Sequence, residues 1–425
     1  MSLNVSPPAK PACSRIQGDL QRIVGTRYVS SGIGSGAEGG PVPVCVEPGS
    51  ETEMAAVLAY ANENGLQVAP RGGGTKISWG NSPRKIDLIL STLRLNRIVE
   101  YGWADLTATV EAGCTVAALQ QVLAEHGQRV AVDPLWPERA TVGGVLSTND
   151  SGALRLGFGG LRDLIIGATI CLPDGTLARS GGKVVKNVAG YDLPKLVTGA
   201  LGTLGVITRA AFRLHPQPKG TKTLSISLGT FEAIRRLLQT VQDSKLTPAA
   251  LQIRLASDSP LQAEILFEGS GAGVSYQSER LCALMGDAPI REQPSSVWNS
   301  REELWAHPGD YAIAKLSVLP SEITKTSLAV ESNVGEAMRW QLLWYATGIG
   351  WLRIDGPSAQ VQAALRNLRM IAEEQDGSLV IARQPAGSSL DAWGEIGAAG
   401  DVMRAVKNQF DPKGTLNAGR FAAGI

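Results

Sequence analysis

Pro70-Arg71-Gly72-Gly73-Gly74-Thr75 is the segment whose residue types come closest to doing chemistry. Three consecutive glycines accept positive φ and let the main chain approach an anion. Their N–H groups can then form a nest for phosphate oxygens, with the Thr75 hydroxyl as a further donor. A plain glycine-rich turn accounts for the same letters, and taken alone the segment leaves the two readings level. A second segment, Thr141-Val142-Gly143-Gly144 followed by Ser147-Thr148-Asn149-Asp150-Ser151-Gly152, favours the nest. Its small side chains and repeated hydroxyls or amides suit a backbone laid along a dinucleotide. A third cluster, Gly159-Gly160-Leu161-Arg162-Asp163, ends in a charged pair that is assigned to holding the fold.

Other motifs fail on context. Gly34-Ser35-Gly36-Ala37-Glu38-Gly39 matches G-x-G-x-x-G, but Gly40-Pro41-Val42-Pro43 follows, and no helix starts through that run. The segment reads as a flexible loop. Gly181-Gly182-Lys183 is no Walker A motif, because Val184 stands where Ser or Thr is required. The five cysteines are widely spaced, with no C-x-x-C and no Cys/His cluster, which argues against a disulfide framework, a zinc site or an iron–sulfur cluster. The three histidines, His126, His215 and His307, are far apart in sequence, and no metal is expected. A net charge of +1 gives no global field for nucleic acid. The N-terminus lacks the apolar core of a signal peptide, and no apolar run is long enough to span a membrane. The expected location is cytoplasmic.

The elements that must position these residues follow from periodicity. With 425 residues, 44% hydrophobic and 19% charged, the chain reads as globular with two or three domains. Residues 1–43 are weakly patterned. From Val44 short strands alternate with helices: a strand at 44–48, a helix capped by Ser50 and Glu53, a strand at 67–70 entering the glycine loop, strands near 87–90, 98–101 and 107–111, and a helix capped by Thr115. The layout is α+β. A Pro/Gly break at 215–220 marks a boundary or a sheet edge. Beyond it a β-α-β-β-α order occurs twice, predicting a ferredoxin-like sheet backed by helices. A helix at 401–410 leads into the turn-rich stretch DPKGTLNAGRF.

On PRGGGT, ATVGG, the turn at 149–152, LRD followed by PDG, and GTLGVIT, the chain resembles the vanillyl-alcohol-oxidase-type FAD proteins, which share the PCMH FAD-binding domain. GGKVVKNVAGYDL at 181–193 and FDPKGTLNAGRF near the C-terminus make it most similar, within that superfamily, to the FAD-binding subunits of glycolate oxidase. The resemblance implies an N-terminal segment and loop at 1–43, a PCMH-type domain at 44–217, a ferredoxin-like α+β cap or substrate domain at 218–395, and a C-terminal segment, 396–425, returning to the FAD domain. It implies FAD contacts at Pro70, Arg71, Gly72, Gly73, Gly74 and Thr75. Further contacts are implied at Pro134, Thr141, Val142, Gly143, Gly144, Ser147, Thr148, Asn149 and Gly152, and at Val206, Ile207, Asn417 and Arg420. Members with a covalent flavin carry a His at or beside the glycine loop; here Gly74 and Thr75 occupy that region, so attachment is expected to be non-covalent.

The activity implied is oxidation of glycolate, a small hydroxy acid, with electrons passed through flavin to an iron–sulfur subunit. This chain lacks the cysteines for a cluster, so an iron–sulfur partner and a catalytic-type flavin subunit are implied. Membrane contact would run only through them, at the inner face. Related hydroxy-acid dehydrogenases carry closely spaced histidines near the flavin, and this chain has no such pair. A hydroxy acid needs a cation for its carboxylate and a base for its hydroxyl proton. Lys186, Tyr191, Arg383 and Arg420 are candidates without forming an identifiable set, and no catalytic residue is assigned. Two alternatives stand beside this reading: a stand-alone FAD oxidoreductase of another alcohol or hydroxy acid, and a non-catalytic assembly subunit.

Overall fold

The structure, a computed structural model, describes residues 13–31, 43–182, 191–306, 309–335 and 338–425. The Gly34–Gly39 run and the greater part of GGKVVKNVAGYDL, with Lys183, Val184 and Lys186, lie outside the described residues, as does His307.

Three layers make the molecule. The first is a four-stranded sheet in the order Val29–Ser31, Val44–Val46, Leu88–Ser91, Val68–Arg71. Its last three strands run parallel, as crossovers through helices require. One crossover is the helix Glu51–Glu63. Ser50 caps it, accepting from the Glu53 N–H at 3.1 Å, and it buries Met54, Val57, Leu58 and Ala61. Residues 13–31, expected to be weakly patterned, contribute a helix, Cys13–Val24, and the edge strand Val29–Ser31. Ile16, Leu20 and Val24 recur every four residues and pack into the same core.

The second layer is an antiparallel sheet in the order Ile98–Gly102, Thr107–Glu111, Val206–Arg213, Ile165–Cys171, Leu177–Gly181. Helix Val116–Ala124, capped by Thr115, packs on it. So does helix Val142–Thr148. This second helix corrects the reading of 141–152 as a backbone laid along a ligand. Thr141 caps it, with its hydroxyl accepting from the Gly144 N–H at 3.3 Å, and Val142, Val145 and Leu146 face the core. Arg162 and Asp163 hold loops in place: Arg162 donates to the Thr198 carbonyl at 3.0 Å, and Asp163 accepts from the Gly160 N–H at 2.8 Å.

The third layer is one antiparallel sheet of eight strands. Its order is Ile290–Gln293, Gly220–Leu228, Ser259–Gly269, Ala250–Ala256, Arg339–Tyr345, Ile349–Asp355, Tyr311–Ser317, Ser378–Arg383. Each half is a β-α-β-β-α-β unit with the strand order of a split β-α-β fold. The halves join edge to edge, Gln252 opposite Tyr345. Helices Phe231–Asp243, Gly271–Met285, Ile323–Val334 and Ser358–Glu373 cover one face through residues such as Ile234, Leu281, Val330 and Leu365. The other face presents Tyr311, Ile313, Tyr345 and Trp351 to Trp79 and Leu135, both from the first half of the chain.

The segment after helix Ala399–Phe410 returns to the first sheet. Leu416 forms a parallel bridge with Val68; the Val68 N–H donates to the Thr415 carbonyl at 2.8 Å and the Asn417 N–H to the Val68 carbonyl at 2.9 Å. Buried Lys407 anchors it, reaching Asp411 at 2.6 Å and the Thr203 carbonyl at 2.7 Å.

Candidate cofactor site

The strand Val68–Arg71 ends at the top of the first sheet and releases the glycine loop into a cleft of about 680 Å³, open solvent included. Gly72 and Gly73 are glycine because the loop is pressed against its neighbour. A Cβ on Gly72 would collide with the Thr141 hydroxyl, and one on Gly73 with the Arg139 carbonyl. Gly74 has φ +69°, the left-handed region. This packing leaves the N–H groups of Gly72, Gly73, Gly74 and Thr75 with no acceptor among the described residues. Four adjacent free donors are the nest that phosphate oxygens require.

The opposite wall is helix Val142–Thr148, which offers Gly143, Gly144, Ser147 and Thr148. Leu201, Gly202, Gly205, Val206 and Ile207 form the floor. The Asn417 amide donates to the Leu201 carbonyl at 2.7 Å and fixes that turn, where Leu201 has φ 51°.

Arg420 closes the remaining side. It is 5% exposed, and its guanidinium donates to the carbonyls of Lys76 (3.1 Å), Ile77 (3.0 Å) and Trp79 (3.2 Å). No carboxylate neutralises it among the described residues, and burial pushes its pKa down to about 10. A buried, uncompensated cation beside four free N–H donors fits a ligand that carries a diphosphate.

Of the residues expected to hold the cofactor, Pro70, Arg71, Gly72, Gly73, Gly74, Thr75, Thr141, Gly143, Gly144, Ser147, Thr148, Val206, Ile207 and Arg420 line this cleft. The others do not. Val142 is in the core. Pro134 lines a different cavity. Gly152 donates to Asp133 at 2.9 Å. Asn149, at φ 48°, ends the helix. Asn417 supports the floor from behind, yet it and Asn149 each keep a buried side-chain oxygen with no partner among the described residues. Sequence reasoning missed Lys76, Ile77, Thr92, Leu201, Gly202 and Gly205 as lining residues. Lys76 directly follows the loop, which was the available signal. Among the candidates for substrate chemistry, Tyr191 is 90% exposed and Arg383 lies over the Tyr311 ring, 3.5 Å from its centroid.

Behind Lys76 lies a buried ionic network that no local pattern announced. Asp150 takes Lys76 Nζ at 3.0 Å on one oxygen and Arg301 Nη1 at 2.8 Å on the other, and also accepts the Leu135 N–H at 2.9 Å. Arg301 belongs to the eight-stranded layer's helix Ser300–Ala306 and donates as well to the carbonyls of Ser151 (2.9 Å) and Asp133 (2.6 Å). Burial alone would raise the Asp150 carboxyl; Arg301, Lys76 and the Leu135 N–H outweigh it and hold the pKa below the ordinary value. Against this network pack Trp79, Trp351 and Trp305, with Trp79 and Trp351 centroids 5.2 Å apart. Lys315, half-buried, sits 5.8 Å from the Trp351 centroid, and burial pushes its pKa down to about 8.

The described histidines take no part in the cleft. His126 stacks on Trp103 at 5.2 Å between centroids, and His215 meets the Phe158 ring edge-on at 5.0 Å.

A family model described as an FAD-binding domain matches residues 42–181. The glycolate oxidase subunit GlcD of Bacillus subtilis (strain 168) is 35% identical over 210 residues, 49% of this chain and 44% of that protein. A D-lactate dehydrogenase of Archaeoglobus fulgidus is 36% identical over 209 residues, 49% of this chain and 46% of the other. The chain thus spans about half the length of these curated relatives. A D-2-hydroxyglutarate dehydrogenase of Stutzerimonas stutzeri (strain A1501) aligns more fully, at 26% identity over 90% of this chain and 92% of its own. Among solved structures, an alkyldihydroxyacetonephosphate synthase superposes with a TM-score of 0.75 at 18% identity, covering 98% of this chain and 87% of that one. A substrate-bound p-cresol methylhydroxylase gives a TM-score of 0.75 at 14% identity, covering 97% and 96%. Likeness at that identity speaks for the fold.

Proposed function

From the premise that this α+β chain carries a PCMH-type FAD-binding domain and uses FAD, we propose that it is the FAD-binding subunit of a glycolate-oxidase-type enzyme. The observation that carries the reading is the conjunction in one cleft of the four free N–H donors of residues 72–75 and the uncompensated Arg420. The diphosphate would lie on the glycine loop. Asn149 and Asn417, with their orphaned side-chain oxygens, would accept from polar groups further along the cofactor. Attachment is non-covalent, since Gly74 and Thr75 stand where an anchoring histidine would be needed. The division into an FAD domain at 44–217, a cap at 218–395 and a returning segment at 396–425 belongs to the same proposal.

FAD supplies the two-electron acceptor for a hydroxyl-bearing carbon of a 2-hydroxy acid. Lys315, with its pKa near 8, can take up the hydroxyl proton at mildly alkaline pH. Electrons then leave through an iron–sulfur partner, with a catalytic-type flavin subunit in the same complex; any membrane contact is theirs. A second reading, a flavin-carrying subunit that oxidises nothing itself, is favoured by one observation. Arg301, a cation otherwise suited to a carboxylate, is already paired with Asp150, and three tryptophans fill the space beside it.

The test is the visible spectrum of the purified chain, before and after anaerobic glycolate. A yellow protein bleached by glycolate supports autonomous oxidation, and a yellow protein indifferent to it supports the second reading. A folded, colourless protein that cannot be loaded with FAD refutes both.

A further inference from the structure

A second cavity of about 1190 Å³, its opening included, lies beneath helix Val116–Ala124, where the eight-stranded layer meets the rest of the chain. Its wall includes Asp133, Pro134, Trp298, Arg301, Glu302 and Tyr345. It is separate from the cofactor cleft: no described residue lines both.

Two donors on this wall have nothing to donate to. Tyr345 is 3% exposed, and its hydroxyl makes no hydrogen bond to any described residue. Burial raises its pKa, so it stays a neutral donor across the physiological range. Arg301 is 4% exposed; its Nη1 and Nη2 are committed to Asp150, Ser151 and Asp133, while Nε has no partner among the described residues. Buried donors without acceptors are costly, on the order of 1–3 kcal/mol each, unless something enters to accept them. A ligand offering oxygen at that end is the direct remedy.

The charge balance says what else the ligand carries. Among the described residues Arg301 is the one cation on the wall, and Asp150 behind it is shared with Lys76, so those two cancel. Asp133 and Glu302 add two carboxylates. The Asp133 oxygens are taken by the N–H groups of Gly152 (2.9 Å) and Leu154 (3.1 Å). Glu302 gives one oxygen to the Trp136 N–H at 2.9 Å and leaves the other free among the described residues. The wall therefore sums to one negative charge and repels a simple anion. A molecule with an ammonium group as well as a carboxylate satisfies both ends. Pro134 and Trp298 supply apolar surface for a side chain.

We propose that this cavity binds a small zwitterion of the α-amino-acid class, its carboxylate toward the Tyr345 hydroxyl and Arg301 Nε, its ammonium toward Glu302, and its side chain against Trp298 and Pro134. The site is independent of the activity proposed above. The test is calorimetric titration of the FAD-loaded full chain with L-leucine, and with 4-methylpentanoate and 3-methylbutylamine as single-charge analogues. The expected result is saturable one-to-one binding of L-leucine, at least tenfold tighter than either analogue. Tyr345→Phe and Glu302→Gln should each weaken it at least fivefold while flavin content and melting temperature hold. The comparison among ligands on the unmodified protein stands even if a variant fails to fold. No saturable heat up to millimolar L-leucine, meaning a cavity filled by water alone, overturns the proposal. So does equal binding of the analogues, or indifference to both substitutions in folded protein.

Discussion

Replacing Asp150 by Ala removes the anion shared by two buried cations. The side chains of Lys76, Asp150 and Arg301 are 4%, 0% and 5% exposed, so neither cation can turn to water without opening the layer contact. Breaking a buried pair by deleting one partner costs about 3–5 kcal/mol, and here two pairs break at once, so that range is the minimum expected. At about 2–4 °C per kcal/mol for units of this size, the melting temperature should fall by about 6–20 °C. The assay is thermal and urea unfolding at pH 7. Lys76→Met, Asp150→Leu and Arg301→Met made together should recover most of the loss, because the cost lies in uncompensated charge and similarly sized apolar groups carry none. Acid supplies a further check. The Asp150 carboxyl is depressed in the folded chain, so its contribution is complete above the unfolded-state value of about 3.9 and is lost as pH falls through the lower folded-state value. Asp150→Asn should lack that part of the acid unfolding limb. An Asp150→Ala protein within about 1 kcal/mol of the parent, or a triple variant no better than the single one, refutes the reasoning, since either outcome lies outside the cost of a broken buried pair.

Three other outcomes follow from the cleft and the sheet face behind it. Gly73→Ala drives a methyl group into the Arg139 carbonyl and should lower the flavin-to-protein absorbance ratio of the purified chain at least tenfold; full flavin content would contradict the role given to the loop. Arg420→Met removes charged hydrogen bonds worth about 1.5–3 kcal/mol each, so the FAD dissociation constant, followed by flavin fluorescence quenching, should rise at least about tenfold, with Arg420→Lys between the two. Lys315, methylated reductively and followed by NMR, should titrate near 8, well below the exposed lysines, and its signal should be absent in Lys315→Met.

The elements were legible where periodicity and caps agree. Ser50 and Thr115 mark helix starts that the structure keeps, and the alternating strands on both sides of the break at 215–220 appear as read. Helix Val142–Thr148 was hidden because Gly143 and Gly144 argue against a helix on propensity; close packing of Gly143 on Ala112 overrides that cost. The helix Cys13–Val24 carries its apolar residues at four-residue spacing, but a proline-rich lead-in masked it. Most of the cleft was readable because glycine and small hydroxyl residues announce close approach in short runs. The Lys76–Asp150–Arg301 network was not, because Asp150 and Arg301 stand 151 residues apart and only tertiary packing makes them neighbours.

The position of Arg420 also sets a timetable. Its guanidinium completes a turn whose Lys76 carbonyl was made 344 residues earlier. At ribosomal rates of about 5–20 residues per second, that interval is about 17–69 s. Throughout it, the carbonyls of Lys76, Ile77 and Trp79 lack the partner that later binds them, and Val68 waits for Leu416 on an unpaired sheet edge. An open strand edge is an invitation to pair with another chain. The nascent protein is therefore most vulnerable on the side that will hold its cofactor, and that wall can be finished only after residue 420 has left the ribosome. Capture of FAD becomes a late event, one that seals the molecule rather than seeding it.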